Sequence, residues 1–175
     1  MNLFLIGYRG SGKTTVAQHL ALLLGWPWVD ADVLLEQRAD KSIKQIFAER
    51  GEAAFRDLEA AIVADLAAQD RHVVALGGGA ILREQNRQAI AGRGAVVWLQ
   101  ASAKTLLHRI NADPTTGDRR PNLTAQGGLA EIQALLSERE PIYRQCATLI
   151  VDAEQLAPEI IAHKIVASLA ERETA

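Results

Sequence analysis

The sequence predicts a single α/β domain in three layers, a parallel sheet with helices on both faces. Three observations carry this. Short apolar runs at residues 3–6, 26–29, 72–76, 95–99 and 146–151 alternate with stretches of helical period. The run at 72–76 is continuously apolar rather than alternating, as a strand buried on both faces of a parallel sheet should be. The first run leads straight into Gly7-Tyr8-Arg9-Gly10-Ser11-Gly12-Lys13-Thr14-Thr15, a glycine-rich turn that opens a helix. With 175 residues the chain is long enough for one sizeable core and too short for two ordinary domains, so one domain over 1–175 is expected.

The turn after the first strand fits G-x-x-x-x-G-K-[ST], a phosphate-binding loop. Gly10, Ser11 and Gly12 supply an amide cradle at a helix N-terminus, Lys13 reaches the β- and γ-phosphates, and Thr14, followed by Thr15, offers a hydroxyl to Mg²⁺. The helix that follows carries Val16, Leu20, Leu23 and Leu24 on one stripe and stops at Gly25. The second strand ends in Asp30-Ala31-Asp32, two carboxylates delivered to a strand end, each also suited to capping the next helix. After a break near Asp40-Lys41, Ser42 and Gln45 read as a capping box for a short helix ending at Gly51. From 52 to 69, Phe55, Leu58, Ile62 and Leu66 mark an apolar stripe, with Arg56 and Glu59 together beside it.

The strand at 72–76 runs into Gly77-Gly78-Gly79, where a bare turn would need one glycine. A helix over 82–91, the strand at 95–99 and a helix over 102–111 continue the alternation. Residues 113–128 then carry Pro, Gly and Arg without periodicity, which predicts a functional loop or mobile lid. A helix over 129–144 follows, which Pro141 should end or kink. The strand at 146–151 opens on the single cysteine, Cys146, read as a buried strand thiol. A closing helix carries Ile160, Ile161, Ile165 and Leu169.

Composition narrows the function. Hydrophobic residues make up 49% and charged residues 23%, and the net charge of −2 leaves no basic footprint for nucleic acid or an anionic membrane. No apolar run approaches a membrane span, and no basic n-region precedes the first strand, so a cytoplasmic location is expected. In a parallel sheet, ligands bind outside the strand carboxyl ends. The phosphate loop, Asp30, Asp32 and the triple glycine should therefore share one rim. Neither N-K-x-D nor D-x-x-G occurs, which argues against a GTPase switch. The central strand at 72–76 ends in Gly77 rather than in the acidic residue of a mechanical ATPase, and Asp30 is the nearest substitute.

Taken in order, Gly7–Thr15, Asp30-Ala31-Asp32, Phe55-Arg56-x-x-Glu59, Gly77-Gly78-Gly79, Arg120-Pro121 and Arg139-x-Pro141-x-Tyr143 resemble the shikimate kinase family along nearly the whole chain. The resemblance implies a P-loop kinase fold with a five-stranded parallel sheet, ATP and Mg²⁺, and phosphorylation of the 3-hydroxyl of shikimate in the aromatic amino-acid pathway. It implies that Asp30 helps hold Mg²⁺ through water and that Asp32 meets the attacking hydroxyl. Arg56 and Arg139 suit the acceptor's carboxylate, since a planar guanidinium offers paired donors. Glu59 would fix the Arg56 rotamer, and the triple glycine would let backbone approach the polyol. Arg120 would swing onto the transferring phosphoryl, and Arg109 and Arg120 are both candidates for packing on adenine. A monomer is expected. Two alternatives remain at this point: a related kinase for gluconate or a nucleoside monophosphate, against which Arg56 and Arg139 argue, and a nucleotide-sensing module without turnover, against which intact Lys13, Thr14, Asp30 and Asp32 argue.

Overall fold

A computed structural model describes residues 1–113 and 128–173. Five parallel strands, β1 (Asn2–Ile6), β2 (Trp28–Asp30), β3 (Val73–Ala75), β4 (Gly94–Gln100) and β5 (Leu149–Asp152), form one sheet in the order β2-β3-β1-β4-β5. The chain winds from β1 to one edge and then to the other, so the strand order reverses at β1. Its carboxyl end is the switch point at which an open α/β sheet binds ligands.

Successive residues of the three central strands, β1, β3 and β4, feed opposite cores. Phe4, Ile6, Val74, Val96 and Trp98 face one layer with Leu35, Phe55, Ile62 and Leu66, whereas Leu3, Leu5, Val73, Ala75 and Val97 face the other with Val16, Leu20, Ile161 and Ile165. Both faces are covered, which is why the runs are apolar throughout. Among the described residues no helix is long and apolar enough to cross a membrane.

The helices follow the sequence closely, with instructive departures. In α1 (Lys13–Leu24) the buried stripe is Val16, Ala17, Leu20 and Ala21, and Leu23, expected on it, is 42% exposed. Asp30 caps α2 (Ala31–Ala39). Both halves of the Ser42/Gln45 capping box form at the start of α3 (Ile43–Ala67), which breaks at Gly51, where φ is 76° and ψ is 176°. A turn of 3-10 helix at Ala80–Leu82 precedes α4 (Glu84–Ile90), where one helix was expected. Ser102 caps α5 (Ala103–Ala112).

The next helix, α6 (Gly128–Cys146), passes through Pro141 instead of ending there. The missing proline amide would have bonded the Ser137 carbonyl, and both residues are exposed, so solvent can serve that group. Continuation of α6 corrects the expectation for Cys146, which is the helix's last residue and half-buried rather than a strand thiol. Tyr143, fully buried and stacked on Trp98 at 5.6 Å, anchors that last turn, and the Ala147 amide still bonds its carbonyl. The chain closes with α7 (Pro158–Glu173), whose Ile161 and Ile165 are buried while Ile160 is 48% exposed.

Candidate active site

The phosphate loop turns out of β1 and into α1 through Gly12, whose left-handed φ of 92° sets up the helix entry. The Lys13 ammonium folds over the loop and donates to the carbonyls of Gly7 at 2.9 Å and Tyr8 at 3.0 Å. That places a point charge in the middle of the amide cradle. Thr14 Oγ1 donates to Asp30 Oδ2 at 2.6 Å, while Asp30 Oδ1 accepts from the amides of Asp32 at 3.0 Å and Val33 at 3.3 Å. Asp30 therefore caps α2 with one oxygen, as the sequence allowed, and turns the other to Thr14 of the phosphate loop.

A cavity of about 250 Å³ is lined by Gly10, Gly12, Lys13, Thr14, Thr15, Asp30, Asp32, Gly78 and Arg109 among the expected residues. A second, of about 300 Å³, lies against Gly10, Ser11, Gly12, Thr15 and Arg109, with Leu156, Pro158 and Ile161 as its apolar wall. Arg109 borders both. It is held there because Nη2 donates to the carbonyls of Ala153 at 2.7 Å and Glu154 at 3.1 Å. Glu154 in turn accepts from Ser102 Oγ and Thr105 Oγ1, both at 2.6 Å, and from the Ser102 amide at 2.7 Å. Those bonds, the Ser102 hydroxyl first, hold its carboxyl down to about 2. Arg120 and most of the expected lid lie outside the described residues.

The remaining expected residues, Gly77, Gly79, Arg56 and Arg139, line neither cavity. At Gly79 a Cβ would come within 3.0 Å of Arg56 Nη1, and at Gly78 it would come within 3.3 Å of the Arg9 amide nitrogen. The approach at Gly78 is to phosphate-loop backbone, whereas that at Gly79 is to the far end of a flexible side chain. Arg56 donates from Nη1 to Glu59 Oε2 at 2.9 Å and from Nη2 to Glu52 Oε1 at 3.2 Å. Burial pulls its pKa down, but Glu59 and Glu52 outweigh that, and the guanidinium titrates above its ordinary range.

Arg139 is 7% exposed, lies over the Tyr8 ring at 5.5 Å, and has no hydrogen-bond partner at Nε among the described residues. One turn further along α6, the Tyr143 hydroxyl donates to the Gly78 carbonyl at 2.5 Å. The same helix therefore positions Arg139 and pins the triple glycine. The site so assembled has an amide and lysine cradle for phosphates, an oxygen pair at Thr14 and Asp30, a carboxylate at Asp32, and two arginines at the far side.

A family model for shikimate kinase matches residues 9–170. The chain belongs to the shikimate kinase family. It is 49% identical over 151 residues to a shikimate kinase of Rhodopirellula baltica, covering 86% of this chain and 81% of that one. It is 41% identical over 172 residues to that of Symbiobacterium thermophilum, covering 98% of each. Among solved structures, shikimate kinase from Acinetobacter baumannii in complex with shikimate superposes with a TM-score of 0.93 at 34% identity, covering 99% of this chain and 95% of that one.

Sequence reasoning missed four contributors to this shikimate kinase site. Arg9 lines the main cavity from an unspecified position of the loop motif. Glu131, fully buried, faces Arg9 at 3.7 Å. The Tyr143–Gly78 bond and the Glu154 cluster complete the set. Arg9 and Tyr143 lie in stretches singled out in the sequence, but nothing local marks the contacts they make, nor Glu131 or Glu154, since each acts across the fold.

Proposed function

We propose that the chain transfers the γ-phosphoryl group of ATP to the 3-hydroxyl of shikimate and releases shikimate 3-phosphate and ADP. Lys13 and the amides of Gly10, Ser11 and Gly12 bind the β- and γ-phosphates, with Thr15 completing the loop. Thr14 and Asp30 present two hard oxygens 2.6 Å apart, a donor set that suits an ion keeping most of its waters, and they would hold Mg²⁺. When bound, the metal neutralises charge on the phosphate oxygens. Asp32 orients the acceptor hydroxyl and takes its proton as the new oxygen–phosphorus bond forms and the bond to the ADP oxygen breaks. Arg109 borders the base, and Arg120, assigned from sequence, adds charge at the transferring group.

Arg56 and Arg139 bind the acceptor's carboxylate, and backbone at Gly77, Gly78 and Gly79 meets its ring hydroxyls. The observation that carries the reading is Arg139: a guanidinium 7% exposed, with Nε lacking a partner among the described residues, beside a phosphate loop. Such a group suits an anionic acceptor. We further propose that the chain acts as a monomer in the cytoplasm on ATP and shikimate, and its net charge of −2 argues against nucleic acid or an anionic membrane as partner.

A coupled ADP-release assay over shikimate, gluconate and nucleoside monophosphates tests the reading. Turnover is expected with shikimate, and turnover with a nucleoside monophosphate but not with shikimate would overturn it. In the same assay Asp30→Asn should raise the Mg²⁺ requirement, whereas Asp32→Asn should depress kcat. An identical Mg²⁺ response in the two variants would remove the division of roles.

A further inference from the structure

The Gly77-Gly78-Gly79 turn follows β3 and is buried throughout. Its carbonyls are all taken. Those of Gly77 and Gly79 accept from the amides of Ala80 at 3.0 Å and Leu82 at 3.1 Å, and that of Gly78 accepts from the Tyr143 hydroxyl at 2.5 Å. Its amides are not, since neither Gly78 nor Gly79 donates a backbone hydrogen bond among the described residues. A buried amide without a partner is costly, so a turn that ties down its carbonyls and leaves two amides open presents donors to a ligand. Gly78 lines the main cavity, and a Cβ at Gly79 would lie 3.0 Å from Arg56 Nη1.

Of these three carbonyls, only that of Gly78 is held by a side chain. In a trans peptide the C=O and the following N–H point in opposite directions, so the bond that holds the Gly78 carbonyl also aims the Gly79 amide. The carbonyl faces Tyr143 in the core, and the amide therefore faces away from it. Glycine on both sides leaves that peptide free to turn over, because no Cβ restricts it. Tyr143 is not free to follow, its ring being fully buried and stacked on Trp98 at 5.6 Å. A buried tyrosine needs a partner for its hydroxyl, and this one takes it from a peptide with glycine at either end. We propose that Tyr143 is a positioning residue for the acceptor: its hydroxyl holds the Gly78–Gly79 peptide in the orientation that offers the Gly79 amide to shikimate. The inference rests on the reading that backbone of the triple glycine meets the acceptor. It goes further by assigning the aim of that backbone to one hydroxyl on α6.

The test combines steady-state assays and thermal unfolding of Tyr143→Phe with amide NMR of protein carrying isotope-labelled glycine, the Gly79 signal being assigned by its loss in Gly79→Ala. Tyr143→Phe keeps the ring and its stacking and removes the donor. The KM for shikimate should rise about fivefold, while the KM for ATP stays within about twofold of the parent. Tyr143→4-aminophenylalanine restores a donor and should bring the KM for shikimate back to within about twofold. Without shikimate, the Gly79 signal should move or broaden in Tyr143→Phe while those of Gly10 and Gly12 stay in place. A KM for shikimate within about twofold of the parent, even with a lower unfolding temperature, would reduce the bond to a structural contact. Equal rises for shikimate and ATP would mean a general loosening and overturn the proposal as well. If Tyr143→Phe is too unstable to assay, Tyr143→4-fluorophenylalanine fills the space of the hydroxyl without a donor and is judged by the same KM values. A Gly79 amide in the parent that saturating shikimate leaves unmoved would instead remove the backbone reading, whatever Tyr143 does.

Discussion

The nucleotide half of this site and the acceptor half are built by different means. The phosphate-binding half is contiguous, running from Gly7 to Thr15 between β1 and α1, and its working groups are backbone amides with Lys13 and Thr14. The acceptor half is gathered from α3, α6 and the turn after β3, and side-chain contacts hold it together, Tyr143 to Gly78 at 2.5 Å and Arg56 to Glu59 at 2.9 Å. A cradle made of backbone is hard to damage by changing a side chain, except at its one central charge. A pocket made of side chains loses its selectivity one contact at a time. Damage to the first half should therefore appear in all turnover, and damage to the second in the choice of acceptor.

The largest effect is expected at Lys13. On the proposed roles Lys13→Ala removes the charge assigned to the transferring phosphate, and kcat should drop by about 10³-fold or more whatever the acceptor. Because Lys13 also donates to the Gly7 and Tyr8 carbonyls, a small loss of stability should accompany it. Activity within tenfold of the parent would refute the phosphate-loop assignment. Next in size are Arg139→Ala and Arg56→Ala. Losing one partner of a shielded, charge-assisted pair costs about 2–5 kcal/mol, so the KM for shikimate should rise at least about tenfold while ATP binding without shikimate hardly changes. Equal losses for ATP and shikimate would erase the contrast between the halves.

The same contrast explains what could be read from sequence. The phosphate loop, the Asp30 cap and the Ser42/Gln45 capping box were legible because each is fixed by residues within a few positions of one another. The three central strands were legible because each is apolar on both faces. The end of α6 was not, because Cys146-Ala147-Thr148-Leu149-Ile150-Val151 reads as one strand until the buried Tyr143 is known to hold the helix to Cys146. Arg56 and Arg139 were nominated only through resemblance to the family. Taken singly, each is an arginine on a helix, and the Gly79 approach and the Tyr8 ring that give them meaning are contacts across the fold.

A smaller effect should come from Gly79→Ala. The added Cβ would meet Arg56 Nη1 at 3.0 Å and Nη2 at 3.1 Å, the far end of a flexible side chain that can shift. The cost should be about fivefold in the KM for shikimate, or ~1 kcal/mol, with kcat and ATP binding nearly unchanged. A crystal structure of the variant should show the guanidinium moved and the phosphate loop in place. A rise in the KM for ATP of the same size would mean that this glycine serves both halves.

The smallest effect tests whether the nucleotide half is backbone-built throughout. At its outer end it is not, since Arg109 is placed by the carbonyls of Ala153 and Glu154, and the Glu154 carboxylate ties that loop to Ser102 and Thr105 at the start of α5. The Glu154 pKa lies near 2, below the usual 4.5, chiefly because the Ser102 and Thr105 hydroxyls donate to the ionised form. A carboxyl depressed in the folded state contributes its stability above the unfolded value and loses it as pH falls. The contribution should therefore be complete at pH 7 and decline between 4.5 and about 2. The group is largely solvent-screened, so no more than about 1 kcal/mol is expected. Glu154→Gln should be slightly less stable than the parent at pH 7, and that difference should shrink on acidification through this window. Its KM for ATP should rise about twofold as Arg109 loosens, with the KM for shikimate unchanged. A stability difference that stays constant across the window would mean that capping geometry, not the charge, holds the loop. An unchanged KM for ATP would return the base end of the site to the backbone-built class.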